Sequence, residues 1–176
     1  MSAEKSFPPA PPRTLVLMRH AKSDWGDPDL PDHDRPLNRR GRRDAALMAG
    51  WLMDEVGLPD LVLCSSAART RETARLMESA WGSRLTVCPA RDLYLAPPEQ
   101  ILRVIRTDGG DAASLLVLGH NPGMADLVSM LCEEPREMPT SAVAVFDVDV
   151  DDWGHLRSPD QVSLRSQMRP KALSAS

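Results

Sequence analysis

Two histidines in this sequence follow directly on short apolar runs. Leu15-Val16-Leu17-Met18 delivers Arg19-His20 into the polar segment Ala21-Lys22-Ser23, and Leu115-Leu116-Val117-Leu118 delivers Gly119-His120 into Asn121-Pro122-Gly123. A third run, Leu61-Val62-Leu63-Cys64, gives way to Ser65-Ser66-Ala67-Ala68 and then to Arg69 at a helix start. In an open α/β sheet, ligands bind at the carboxyl ends of the strands. If these three strands are neighbours, Arg19, His20, Arg69 and His120 converge on one cavity. Guanidinium groups grip phosphate or carboxylate in a two-pronged geometry. Two cations and two imidazoles around one point repel each other unless an anion joins them, and phosphate supplies that anion. A neutral imidazole can attack phosphorus through one nitrogen while the other holds its proton in a hydrogen bond, commonly to a backbone carbonyl. His20 is therefore the candidate nucleophile. Arg19 and Arg69 would neutralise charge on the equatorial oxygens. His120 would be a further donor, as an imidazolium whose proton the phosphate keeps in place.

The elements that must position these groups alternate between strand and helix. Strands are predicted at Thr14–Met18, Leu61–Cys64, Leu85–Cys88, Leu115–Leu118 and Ala142–Val148. Helices are predicted at Asn38–Val56, Arg69–Trp81, Pro97–Arg106 and Pro122–Cys132. Ala45, Ala46, Met48, Ala49, Leu52, Met53 and Val56 repeat near the helical period, and Gly57 and Pro59 end that helix. The segments Trp153–Arg157 and Val162–Arg165 are predicted to form a terminal hairpin around Ser158-Pro159-Asp160. Strand–helix alternation implies an α/β protein, a three-layer sandwich whose mostly parallel central sheet is covered by helices on both faces. The expected organisation is a Pro-rich disordered tail over residues 1–12, a single domain over 13–168 and a flexible tail over 169–176.

Composition excludes several classes. A chain of 176 residues can bury a substantial core. A net charge of −4 argues against non-specific nucleic-acid binding. No apolar run approaches the roughly 20 residues that span a bilayer, and Ser6-Phe7-Pro8-Pro9 does not read as a signal-peptide core. A cytoplasmic protein without a membrane partner is expected. Cys64, Cys88 and Cys132 lack metal-ligand spacing and read as buried free thiols, so neither metal nor cofactor is expected.

Four ordered motifs carry a family resemblance. They are Arg19-His20-Ala21-Lys22-Ser23-Asp24-Trp25, Asp34-Arg35-Pro36-Leu37-Asn38-Arg39-Arg40-Gly41, Ser65-Ser66-Ala67-Ala68-Arg69-Thr70-Arg71-Glu72-Thr73-Ala74, and Gly119-His120-Asn121-Pro122. The chain resembles the histidine phosphatase superfamily, with its phosphoglycerate-mutase-like fold, and within it the phosphohistidine phosphatases of the SixA type. The resemblance runs from about residue 14 to about residue 165. It implies the same three-layer architecture and a covalent phosphohistidine on His20.

Other polar residues are weighed against this frame. Lys22 and Ser23 follow the nucleophile and are candidate substrate contacts. Thr140 and Ser141 precede the fifth strand, where the family's loop approaches the pocket. His33 reads as a solvated or hydrogen-bonding loop residue, and His155 as a bystander. Arg39, Arg40, Arg42 and Arg43 read as a solvated face, although a cationic first turn opposes the helix dipole. Ser65-Ser66 lacks the Gly-x-Ser-x-Gly elbow of a nucleophilic serine.

Two departures from the family pattern bear on the substrate. Mutase-like members carry a Glu general acid in the loop after the third strand, and Leu95 stands where that Glu would align. Gly26 replaces a phosphate-contacting Asn. A phosphate ester needs a proton for its leaving alkoxide, whereas a phosphoramidate nitrogen departs readily and can be protonated beforehand. The expected substrate is thus phosphohistidine in a protein. A small phosphate ester is the alternative, with Asp92 or Glu99 supplying the proton. A third reading is a phosphate-binding adaptor without turnover.

Overall fold

The apolar runs read from the sequence pair with one another, and that pairing builds a single six-stranded sheet. The structure is a computed structural model, and it describes residues 11–174. Of the expected N-terminal tail only Pro11 and Pro12 fall within that range, both exposed. The remainder of that expectation lies outside the described residues.

Four strands run parallel: β1 (Arg13–Arg19), β2 (Leu61–Ser65), β3 (Val87–Ala90) and β4 (Ser114–Gly119). β5 (Val143–Val148) is antiparallel to β1, and β6 (Val162–Met168) is antiparallel to β5. The order across the sheet is β3-β2-β4-β1-β5-β6, so β4 inserts between β2 and β1. This insertion sets the carboxyl ends of β2, β4 and β1 side by side.

Continuous apolar strands require cover on both faces. Leu15, Leu17, Leu115 and Val117 pack with Ile101 and Ile105 of α3 (Pro98–Asp108) and with Leu127 and Val128 of α4 (Gly123–Cys132). Val16, Met18, Leu116 and Leu118 pack on the opposite face. Their partners are Met48 and Leu52 of α1 (Arg39–Glu55) and Ala74 and Met77 of α2 (Ala68–Trp81). The result is the expected three-layer α/β sandwich. Each fully buried aliphatic side chain of this kind contributes about 1.5–3 kcal/mol, which anchors the strand ends firmly. Asn38 caps α1, its side-chain oxygen accepting from Gly41 N at 2.8 Å. Gly82 ends α2 at φ +60°, a left-handed conformation that glycine adopts without strain. Among the described residues, no helix is long and apolar enough to cross a membrane.

Four expectations need correction. The terminal hairpin does not form: Trp153–His155 is a 3-10 turn, and the partner of β6 is β5. The reason is Trp153, fully buried in the α3-side core with its indole N–H donating to Ala112 O at 2.8 Å. β3 begins two residues later than predicted, because Leu85 N is tied to Glu78 of α2 at 3.1 Å rather than to the sheet ladder. Within the expected flexible C-terminal tail, Pro170–Leu173 forms a short helix, α5; Pro170 is buried and Leu173 packs against the α1–α2 core, and residues 175–176 lie outside the described residues. Of the three cysteines only Cys64 is buried, while Cys132 is half-buried and Cys88 is exposed on the edge strand.

The arginine run of α1 also departs from a merely solvated face. Arg40 and Arg43 both reach the buried carboxylate of Asp44, and Arg42 donates to Glu72 at 2.7 Å.

Gly123 marks the tightest approach near the pocket. A Cβ there would lie 1.8 Å from the carbonyl oxygen of Ala96, which is backbone and cannot rotate away. Gly123→Ala is expected to cost about 1–3 kcal/mol, as overpacking of a well-filled core does, read as a lower urea midpoint with an unchanged m-value.

Candidate active site

Register places the two histidines. Arg19 of β1 lies opposite Gly119 of the parallel neighbour β4. His20 and His120 therefore leave adjacent strands at the same level, and their ring centroids stand 5.1 Å apart. His20 N donates to Gly119 O at 3.1 Å, which extends the pairing one step past the strand ends.

The third contributor comes from β2 and α2. On α2, Arg69, Glu72 and Thr73 are spaced three and four residues apart and so share one helix face. Glu72 accepts from Leu37 N at 2.8 Å, and the Thr73 hydroxyl accepts from Ala21 N at 3.1 Å. These bonds hold the loop that follows His20 while Arg69 points into the pocket. Lys22 O, in the same loop, accepts from Asn38 N at 2.9 Å.

A pocket of about 320 Å³ opens at these strand ends. Arg19, His20, Arg69 and His120, the four residues expected to converge, all line it, as do Lys22, Ser23 and Thr140. The Ser23 hydroxyl accepts from Trp25 Nε1 at 3.1 Å, and Lys22 is exposed at the rim. Ser141, the companion of Thr140, is fully buried beneath the pocket, and its backbone N–H donates to His20 O at 3.1 Å.

The state of His20 follows from its contacts. Its Nδ1 lies 2.7 Å from Ala21 O, an acceptor that can only receive a proton, so the hydrogen resides on Nδ1. Its Nε2 accepts from Arg69 Nε at 3.3 Å. Burial, and then the neighbouring arginines, push the ring's pKa down to about 4, although the Ala21 bond opposes this. His120 is pushed down to about 3 by burial, by His20 and by Arg69. At neutral pH both rings are therefore held in the neutral form, and a proton on His120 needs a neighbouring anion to favour it, as the expected phosphate would. The Nε2 of His120 shares a 2.7 Å hydrogen bond with the buried hydroxyl of Ser65. Arg19 donates to Met138 O at 3.2 Å, and its pKa is lowered by burial and by Arg69.

Two residues at the site escaped the sequence reading. Asp32 receives hydrogen bonds from Arg69 Nη2 at 3.1 Å and from the Tyr94 hydroxyl at 2.6 Å. The Tyr94 bond and the Arg69 charge hold its carboxyl below the usual range, so it is ionised. Tyr94 stands edge-on to His120, with centroids 5.4 Å apart. Asp32 belongs to a charged loop and Tyr94 to a turn after β3, and neither has a periodicity that would point inward. Glu72 and Thr73, which hold the loop after His20, were not read from the sequence either, and their helical spacing from Arg69 is the signal that could have found them.

The candidate acids fare differently. Asp92 and Glu99 are exposed and lie outside the pocket lining. Leu95, standing where the mutase-like acid would align, is in the pocket wall. Gly26 is exposed and outside the lining, while its neighbour Trp25 lines the pocket beneath the stacked guanidinium of Arg35, 4.3 Å from the ring centroid. His33 bonds Ser66 Oγ at 2.9 Å, and His155 pairs with Asp151 away from the pocket. Burial pushes the Cys64 thiol up to about 12, which leaves it unreactive.

The chain as a whole has recognisable relatives. The model of the histidine phosphatase superfamily (branch 1) matches residues 15–92. An uncharacterized protein of Mycobacterium tuberculosis is 37% identical over 142 residues, 74% of this chain and 87% of that one. Phosphohistidine phosphatase SixA of Escherichia coli is 30% identical over 148 residues, 77% of this chain and 85% of that one. The crystal structure of a SixA-type protein from Agrobacterium tumefaciens superposes with a TM-score of 0.77 at 29% identity, covering 92% of this chain and all of that one. The chain belongs to the histidine phosphatase superfamily. It is a phosphatase.

The depressed histidines make folding pH-dependent. Because their folded pKa values lie below the unfolded value near 6.5, the unfolded chain takes up protons first as pH falls. The stability they leave intact is complete above about pH 6.5 and falls progressively as pH drops from there through about 4 for His20 and about 3 for His120. Urea midpoints measured from pH 7 to pH 4 should fall, and His20→Gln should flatten that slope.

Proposed function

We propose that this phosphatase removes phosphate from phosphohistidine in a protein, through a covalent intermediate on His20. The observation that carries the reading is the His20 ring itself. Its proton is fixed on Nδ1 by Ala21 O, and its Nε2 lone pair sits in the pocket against Arg69.

In the first half-reaction, Nε2 forms a bond to phosphorus as the phosphorus–nitrogen bond of the substrate breaks. The electron pair of that bond leaves with the substrate imidazole. Arg19 and Arg69 neutralise charge on the equatorial oxygens. The incoming negative charge favours a proton on His120, which then donates to the phosphoryl group. Ser23, buried beside the pocket, and Lys22, exposed at its rim, are further contacts for the substrate. In the second half-reaction, water attacks phosphorus and the phosphorus–Nε2 bond breaks. His20 leaves as the neutral Nδ1–H imidazole, and both water protons depart on phosphate as H₂PO₄⁻.

Phosphohistidine is favoured over an ester by the lining. The place of an ester's proton donor is taken by Leu95, and the one carboxylate among the lining residues, Asp32, is ionised. The kinship with SixA of Escherichia coli supports the same substrate. The open strand-end pocket suits a protein-borne side chain.

The test is phosphate release from a histidine-phosphorylated protein and from an aryl phosphate, with wild type and His20→Ala side by side. Release from phosphohistidine should be the faster and should vanish in the variant. Faster ester turnover would instead assign a small phosphate ester as substrate. Phosphate binding without turnover of either would assign an adaptor.

A further inference from the structure

Asp32 is anomalous where it stands. A pocket that must receive a dianionic phosphoryl group has one carboxylate in its lining, and that carboxylate competes with the substrate for Arg69. Phosphate binding alone would be stronger without it. The fold nevertheless maintains it with two bonds, from the Tyr94 hydroxyl at 2.6 Å and from Arg69 at 3.1 Å. Tyr94 is placed by the turn after β3 and Arg69 by α2, so two separate elements fix one side chain. What a negative charge at this point can do is hold a positive one on the substrate.

Geometry says which part of the substrate that is. His20 is only 6% exposed and lies at the base of the pocket. In a near-attack pose phosphorus stands about 3–3.5 Å from Nε2, and the leaving group lies beyond it, in line, toward the mouth. Asp32 is 44% exposed in its side chain and belongs to that outer side. It is separated from His20 Nε2 by a single guanidinium, since Arg69 contacts His20 through Nε and Asp32 through Nη2. An ionised carboxylate at this position faces the leaving group rather than the nucleophile.

We propose that Asp32 is the specificity-determining residue of this site, accepting a hydrogen bond from the distal N–H of the departing imidazolium of phosphohistidine. The inference rests on the phosphohistidine reading above. With the substrate ring protonated on its distal nitrogen, the phosphorus–nitrogen bond breaks and its electron pair neutralises the ring. The product is neutral histidine, and no further proton donor is needed. Asp32 favours the protonated ring in the same way that any nearby anion favours a cation, and thereby does the work that Leu95 cannot. An ester leaving group has no N–H to offer, and its developing negative charge is repelled by the same carboxylate. One residue thus raises the rate for phosphohistidine and lowers it for esters.

The experiment compares kcat/KM for a histidine-phosphorylated protein and for an aryl phosphate in wild type, Asp32→Asn and Asp34→Asn. Asp32→Asn should lose about 10²-fold on phosphohistidine, in the range that assisted proton placement contributes, while aryl phosphate turnover stays level or rises. The retained ester activity shows in the same assay that the variant is folded. Asp34→Asn, altered in the neighbouring exposed carboxylate outside the pocket, should leave both substrates unchanged. A parallel loss on both substrates by a folded Asp32→Asn would mean that Asp32 only orients Arg69, and would overturn the proposal. An Asp32→Asn variant unchanged on phosphohistidine would overturn it equally. Wild type inactive on phosphohistidine but active on the ester would refute the phosphohistidine reading instead.

Discussion

The site depends on the parallel pairing of β1 with β4. One register, Arg19 opposite Gly119, sets two histidines side by side at the carboxyl end of the central strands. A shift of one residue would turn every side chain of the moved strand to the other face, exposing Leu15 and Leu17 or their partners to the wrong helices. The same apolar contacts that stabilise the sheet therefore fix the distance between the two rings. Hydrophobic burial does not create the chemistry, but it makes the geometry of the site too costly to relax.

That rigidity has an electrostatic consequence. Two arginines and two imidazoles are held within one small pocket, and the protein avoids mutual repulsion by keeping both rings neutral. Neutrality is what a nucleophile requires, since a protonated Nε2 has no lone pair to offer. The Ala21 carbonyl selects the tautomer, and burial selects the charge. Asp32 supplies the remaining negative charge and is itself kept ionised by Tyr94 and Arg69. Site and scaffold are coupled on the other side as well. Glu72 and Thr73, one helical turn from Arg69, hold the loop through which His20 enters the pocket.

The sequence was legible where local pattern and tertiary requirement coincide. The three apolar runs at residues 15–18, 61–64 and 115–118 are buried on both faces, so their composition announces central parallel strands. The residues that follow each run fall at the carboxyl ends by chain geometry alone, which made Arg19, His20, Arg69 and His120 recognisable together. Legibility failed where partners are distant. Trp153 reads as the start of an aromatic strand, yet it is drawn into the α3-side core and leaves β6 to pair elsewhere. The tail after Arg169 has no strong helical pattern, and its short helix exists because Leu173 finds the α1–α2 core.

By itself the sequence determined the α/β layering, the strand ends and the four groups that could handle phosphate, because each is encoded in a contiguous stretch of a few residues. Only the tertiary structure decided the protonation of the two histidines, the exclusion of Asp92 and Glu99 from the pocket, the arrival of Asp32 within it and the bond that Tyr94 makes to Asp32. Charge state and proximity depend on burial and on which loops meet in space. Asp32 and Tyr94 are separated by 62 positions in the chain, and no periodicity in either segment encodes their meeting. The contact exists because the insertion of β4 and the docking of α2 bring their two loops over the same strand ends.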